Sequence, residues 1–476
     1  MARRHGPFGL LLAAAVVPRL LAMAGYPSML WFGDSGTYLR GALSPAPSVL
    51  RPSGYSLMLW LLRPLHHFGA VALTQHLFGL AIGVLLYLVV YRTARAAWPD
   101  RAVLPGLLGC LAAAPALLDA YQVELEHLVL SDTLFELLVV AAVAALLWRP
   151  VPSWTPALAA GLLLGAAAVT RTVGLPLLAA VLLFLLVRRV DWRVIGALTT
   201  AFLLVVGSYA AWYRAEHGHW GLTGTNGLFL FGRVAAFADC DSIHPPPDER
   251  VFCRDWTHDT PGMDPAFAAM WGAHAPFRSF PKGTSDRAGN ALAADFAKRA
   301  VLAQPLDYLW TVLRDSTRGF APHRSAHPTA GTVSEYRFPV KYKRPADAVR
   351  PSRAYGGPTA RPRVVEPFAG WVRAYQKVVF VPGPLLAALA LAALAGLVRR
   401  PRSPALLPFL AGVALIVVPS ATADFDYRYL LPAVPLLSLA AVLAWTGGRG
   451  DQARDHDGDA GERPGDERPD RPPTTV

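Results

Sequence analysis

The sequence predicts an α-helical polytopic membrane protein, about ten transmembrane helices joined to one extracytoplasmic loop domain. Three observations predict it. The residues are 53% hydrophobic and only 16% charged, with a mean hydropathy of +0.33. The apolar residues gather into blocks of roughly 17 to 22, the length that crosses about 30 Å of hydrocarbon as helix. The arginines fall on alternate connections between those blocks.

In order along the chain, spans are expected at roughly 8–26, 70–91, 102–119, 127–148, 156–170, 172–187, 194–213, 378–398, 404–421 and 429–446. Several contain Gly and Pro, which membrane helices tolerate when neighbours satisfy the freed backbone groups. With Arg3 and Arg4 placed in the cytoplasm, Arg92, Arg95 and Arg101 land on that side too. So do Arg149, then Arg188, Arg189 and Arg193, then Arg399, Arg400 and Arg402, and finally Arg449. The positive-inside rule is satisfied with both termini cytoplasmic. The first block is too long for a signal peptide and lacks a small-residue cleavage site. A multi-pass plasma-membrane location follows, with the opposite side extracytoplasmic.

The domain reading is a membrane bundle over 1–213, with a first outward loop at 27–69, and an extracytoplasmic soluble domain or lid over 214–376. C-terminal membrane helices over 377–446 and a charged cytoplasmic tail over 447–476 complete it. The tail lacks aromatics and is expected to be disordered. Within the soluble part, helices are expected near 286–303 and 305–318, the second opened by Pro305 at a first-turn position. From about 320 to 365 the chain is rich in Arg, Pro, His and Gly without apolar periodicity, and an irregular belt is expected. Cys240 and Cys253 both fall in the outward segment, where an oxidising compartment permits a disulfide, and they are expected to pair. Cys110 sits in an apolar block as packing.

The formal net charge of +12 belongs to the cytoplasmic arginine collars, so nucleic acid is not an expected partner. Scarce lysine (Lys282, Lys298, Lys341, Lys343, Lys377) against abundant Arg and Ala suggests a GC-rich bacterial genome. His66, His67, His127, His217, His219, His323 and His327 have no metal-ligand spacing, and no nucleotide-type glycine loop is present. No cofactor is expected, and no metal site is evident.

The candidate chemistry lies at one end of the bundle. Gly33-Asp34-Ser35-Gly36-Thr37-Tyr38 follows the first span, and Arg51-Pro52-Ser53-Gly54-Tyr55 comes soon after. A carboxylate so close to hydrocarbon is costly unless something binds or protonates it, which reads as functional; Gly, Asp and Ser are also ordinary turn residues. Arg171 and Arg428 read either as phosphate clamps or as side chains snorkelling to headgroups. Asp132 reads as a substrate-binding carboxylate or, with Ser131, as a helix start. Tyr55, Tyr427 and Tyr429 read as substrate contacts or as an aromatic belt. Arg19, inside the first span, is expected to pair with Asp34 or Asp132 or to sit near the interface.

The order of these features resembles the membrane-embedded glycosyltransferases of the GT-C superfamily, in particular the family 39 group of protein mannosyltransferases and the lipid A aminoarabinose transferases. The matching pieces are Asp34 and Tyr38; Arg51 to Tyr55; Ser131-Asp132-Thr133-Leu134-Phe135-Glu136; Gly165 with Thr170-Arg171 and Gly174-Leu175; Trp212-Tyr213-Arg214; and Tyr427-Arg428-Tyr429-Leu430-Leu431-Pro432. They run through the whole membrane part. The protein mannosyltransferases carry adjacent acidic residues where this chain has Asp34-Ser35, which points away from a protein acceptor.

The resemblance implies an inverting enzyme that takes a sugar from a polyprenyl-phosphate donor and passes it, on the outer face of the membrane, to a glycan, lipid or protein acceptor. Asp34 would be the catalytic base, its pKa raised by partial dehydration. Arg51, Arg171 and Arg428 would fork onto the donor phosphate. Tyr38, Tyr55, Asp132, Tyr427 and Tyr429 would meet substrate. A transporter or flippase of lipid-linked saccharide using the same residues for binding, or a polysaccharide polymerase or ligase of related architecture, is the alternative.

Overall fold

The computed structural model describes residues 2–256, 260–342 and 344–446. Among them the regular structure is helical, with one isolated parallel bridge between Leu30 and Leu128. The expected tail at 447–476 lies outside the described residues. Each of the ten apolar blocks contains a helix. Three are long and apolar enough to cross a membrane unaided: Arg4–Gly25, Phe68–Ala97 and Trp192–His217. A further pair, Phe368–Val378 and Gly383–Arg399, passes the same length and composition test together and is bent by 52° at its break, as in a broken span or a re-entrant loop. The break falls at Pro382, which cannot donate to an α-helical ladder. The remaining blocks hold shorter helices, including Leu104–Leu118, Asp132–Leu147, Trp154–Thr170 and Leu406–Thr422.

Small residues decide how closely these helices approach. Trp154–Thr170 packs along Trp192–His217, with Gly161 facing the Leu198 carbonyl and Gly165 facing Val205. A Cβ on Gly165 would lie 2.8 Å from the Val205 Cβ, and one on Gly161 would lie 2.9 Å from Ala201. Where lipid tails are as apolar as side chains, such close backbone packing is what drives helices together.

The interior of the bundle also holds charge. Arg19 forks onto Glu126, Nε to Oε2 at 2.8 Å and Nη2 to Oε1 at 2.7 Å, and Nη1 donates to the carbonyls of Ala15 and Leu117. His76 Nδ1 lies 2.8 Å from the same carboxylate, and its Nε2 lies 3.0 Å from His127 Nδ1. The partner expected of Arg19 was Asp34 or Asp132. Glu126 takes that place because the Ala120–Leu125 turn folds it back beside the first helix. Breaking a buried pair by removing one partner costs about 3–5 kcal/mol. Arg19→Met is therefore expected to lower the thermal midpoint in detergent steeply, and Arg19→Met with Glu126→Gln to recover part of it. Equal midpoints for the single and double variants would show that the two side chains do not act as a pair.

The segment over 214–376 has its own core, in which Phe231, Phe252, Trp256, Phe277 and Phe296 are buried together. Cys240 and Cys253 are joined as a disulfide beside it, with their Cα atoms 5.9 Å apart. The helices Arg287–Ala303 and Pro305–Arg318 stand where the pattern puts them. The belt at 320–365 is less irregular than expected, since it contains the helices Ala330–Glu335 and Ala346–Gly356. Packing supplies what propensity does not: Ala348, Pro351, Ser352 and Tyr355 are buried, and the second helix lies against Ser35–Leu43. The belt straps the 27–69 loop through Trp31 Nε1 to the Tyr342 hydroxyl at 2.7 Å, and through the Tyr355 hydroxyl to the Leu59 carbonyl at 2.7 Å.

Candidate active site

Asp34 is aimed by the turn that carries it. Leu30 N donates to the His127 carbonyl at 2.9 Å and Val129 N to the Leu30 carbonyl at 3.0 Å, which ties the loop to the start of the fourth block. Ser35 Oγ accepts from Phe32 N and donates to the Val129 carbonyl, both at 2.9 Å. Asp34 then precedes the Ser35–Leu43 helix, accepting from Thr37 N through its carbonyl, but its carboxylate makes no cap hydrogen bond. The residue is part of a turn and its side chain is still free for other work.

That carboxylate meets two guanidinia. Arg51 reaches Oδ1 through Nη2 at 3.0 Å and Nε at 3.1 Å, and Arg428 reaches Oδ2 through Nη1 and Nη2, each at 3.4 Å. Arg51 is presented by a loop that Ser53 pins, its N–H donating to the Tyr209 hydroxyl at 3.1 Å. Gly54 follows because the chain passes against the end of Trp154–Thr170, where a Cβ would lie 2.8 Å from the Val169 carbonyl. Arg428 sits in the single turn Tyr427–Leu430, capped by Asp426, which accepts from Arg428 N at 3.2 Å and from the Tyr336 hydroxyl at 2.5 Å.

Arg171 comes off the end of its helix and is ion-paired with the buried Asp132. Tyr429 joins the two groups: its ring has Arg171 at 5.4 Å and Arg428 at 5.2 Å from the centroid. Cations over aromatic faces are attracted by the ring quadrupole. Arg428 also lies 4.6 Å from the Phe32 ring centroid and Arg51 5.0 Å from that of Phe229. Neither Arg171 nor Arg428 snorkels to a surface, since both are held by carboxylates and rings.

The electrostatics correct one expectation. Burial alone would raise the Asp34 pKa, but Arg51 and then Arg428 outweigh it and hold the carboxyl down to about 2. An acid so firmly ionised is a poor base at neutral pH. Three guanidinia (Arg51, Arg171, Arg428) are matched by three carboxyl groups (Asp34, Asp132, Asp426). Asp424, on the same loop, is pushed up to about 8 by burial and by the Asp426 and Asp264 charges. An incoming phosphate would therefore exchange with a carboxylate for its guanidinium partners.

The tyrosines divide. Tyr38 and Tyr55 are buried and pack edge to face, centroids 5.0 Å apart, with the Tyr38 hydroxyl 2.9 Å from Ser131 Oγ and the Tyr55 hydroxyl donating to Gln75 Oε1 at 2.7 Å. Both are buried beside the charged cluster, where they pack against each other and against the loop that carries Asp34. The Tyr427 hydroxyl accepts from Ser325 N at 2.7 Å, and its ring borders a cavity of about 260 Å³. Tyr429 is the half-buried ring between the arginines. Among the described residues no group of three or more His, Cys, Asp or Glu is placed to hold a metal ion.

Four contributors escaped the sequence reading. Asp426 and Tyr336 position Arg428, and Glu124 and Arg324 line the recess beside it. Asp426 stands two residues before Arg428, a spacing that an N-cap search on the Tyr-Arg-Tyr motif would pick up. Tyr336 and Arg324 lie in the belt, where nothing local marks them.

No family model and no curated protein matches this sequence. Among solved structures it is similar to ArnT from Cupriavidus metallidurans bound to undecaprenyl phosphate, at 16% identity over 92% of this chain and 78% of that one, with a TM-score of 0.36. The apo state of that protein gives the same values. The apo oligosaccharyltransferase of Archaeoglobus fulgidus is similar at 14% identity and a TM-score of 0.40, and this chain, matched over 96% of its length, covers about half (52%) of that one. At TM-scores this low the likeness says nothing about the site.

Proposed function

We propose that this membrane protein is an inverting glycosyltransferase that moves a sugar from a polyprenyl-phosphate donor to an acceptor hydroxyl at the outward face of the bundle. One observation carries the reading. Asp34, Arg51, Arg171 and Arg428, drawn from three connections between the apolar blocks, meet at one end of the helices; the positive-inside rule would put that end outward. A transporter would instead need its polar groups near the midplane on broken helices.

The chemistry assigns roles to the cluster. As the acceptor oxygen bonds to the anomeric carbon, the bond from that carbon to the phosphate oxygen breaks, and its electron pair leaves with the polyprenyl phosphate. Guanidinia fork onto phosphate oxygens and stay charged beside lipid. Arg428 and Arg51 are the phosphate partners nearest Asp34, with Arg171 beside Tyr429. Donors aimed at the leaving phosphate supply a few kcal/mol of barrier lowering. Asp34 keeps Arg51 and Arg428 converged and yields them to the phosphate.

The test is release of free polyprenyl phosphate from a panel of polyprenyl-phosphate sugars by the purified protein, with membrane extract as acceptor. Turnover with one donor identifies the sugar. Absence of turnover with every donor, together with lipid-saccharide flux in liposomes, would replace this reading with the transporter one.

A further inference from the structure

Glu124 lies on the short turn of helix Ala120–Leu125 and is 1% exposed. Its Oε2 accepts from Gln376 Nε2 at 3.1 Å, whereas Oε1 has no hydrogen-bond partner. A buried carboxyl oxygen left unpaired is expensive and calls for an explanation. Glu124 lines a recess of about 10 Å³, room for about one water, whose walls also include Tyr336, Arg324 and Arg428. Tyr121, Arg324, Tyr427 and Leu431 line both this recess and the cavity of about 260 Å³, so the two adjoin across those side chains. The recess thus lies between that cavity and the guanidinium that holds Asp34.

We propose that Glu124 is the group that takes the proton from the acceptor hydroxyl, and that the acceptor enters through the cavity bordered by Arg324 and Tyr427. This rests on the transferase reading above. The hydroxyl proton passes to Glu124 Oε1, and the O–H electron pair becomes the new bond to the anomeric carbon. The bond from carbon to phosphate oxygen breaks toward the phosphate, whose charge Arg428 and its neighbours receive. Glu124 afterwards releases the proton to water.

The surroundings suit that role. Burial pushes the Glu124 carboxyl well above its ordinary range and Glu335 adds to the rise, while the Gln376 hydrogen bond, Arg324 and Arg337 oppose it. Arg428 and the side chains of Tyr121, Tyr336 and Tyr427 complete the lining of the recess. A carboxylate whose pKa is raised is the stronger base once ionised, and Asp34, held down to about 2, is a weak one.

Glu124→Gln, which keeps the shape and the Gln376 contact, is expected to slow release of polyprenyl phosphate at least about a hundredfold, the scale of a lost general base. Binding of the donor lipid should stay unchanged. The wild-type rate should fall as pH drops through the raised Glu124 pKa, because only the carboxylate accepts a proton, and this acid limb should vanish from the residual activity of the variant. Glu124→Asp should keep part of the activity and retain a limb. Full activity in Glu124→Gln, or an acid limb that survives in it, would overturn the assignment while leaving the transferase standing. Loss of donor binding in both variants would place Glu124 in the fold and also overturn it. A wild-type protein that releases nothing from any donor sinks the transferase reading and this inference together.

Discussion

Asp34→Asn is expected to lower turnover by at least about a hundredfold, comparable to losing a donor group aimed at transition-state charge. The amide keeps the volume of the carboxylate and leaves the turn intact, because the turn is built by Ser35, Leu30 and the Asp34 carbonyl. What goes is the charge on which Arg51 and Arg428 converge. Two guanidinia facing a neutral amide repel each other, and each turns toward whatever acceptor remains, Asp426 in the case of Arg428. The measurement is kcat and kcat/KM for polyprenyl-phosphate release across pH.

Because Asp34 is ionised down to about pH 2, its loss should not abolish an acid limb at higher pH. It should move that limb toward lower pH, since the Arg428 charge beside Glu124 would be less neutralised. Disappearance of the limb in Asp34→Asn would make Asp34 the base after all.

Arg428→Lys is expected to cost about 10²- to 10³-fold in kcat/KM although the formal charge is kept. Arg428 works as a planar fork: two nitrogens on Asp34, Nε 3.7 Å from Asp426, and its faces over Phe32 and Tyr429. An ammonium offers one point of charge, does not stack in this way, and is more strongly hydrated. With the carboxylates of Asp34 and Asp426 both left partly unpaired, the loss should appear chiefly in kcat if the phosphate contact strengthens as charge develops on the leaving group. An effect confined to KM would mean that donor and transition state are held equally. A variant as active as the wild type would show that the fork is not used.

The helices were legible because each apolar block is a run of residues that has to leave water, and length alone then fixes helix and span. The Asp34, Arg51 and Arg428 constellation was legible because charge at the edge of hydrocarbon is rarely idle. Partner choice was less so. Arg19 and Glu126 are separated by 107 positions and Tyr336 and Asp426 by 90, and no periodicity carries information over such distances. Glu124 carries no local signal; what marks it is burial and an unpaired oxygen. The Asp34 pKa was anticipated with the wrong sign because dehydration is local, whereas burial is outweighed only by Arg51 and Arg428 together, and Arg428 arrives from the far end of the chain. The helix at Ala346–Gly356, with Pro351 inside it, forms because four of its side chains find a surface to bury against.

The 394 positions that separate Asp34 from Arg428 set an order of events during synthesis. Arg51 emerges 17 residues after Asp34 and is available to pair with it early. At ribosomal speeds of about 5–20 residues per second, Arg428 follows roughly 20 to 80 s later. Until then the cluster holds Arg51 and Arg171 but lacks Arg428. On the transferase proposal, the site is complete only once the last helix has been made, and a chain that stalls before that point is expected to lack the second guanidinium on Asp34.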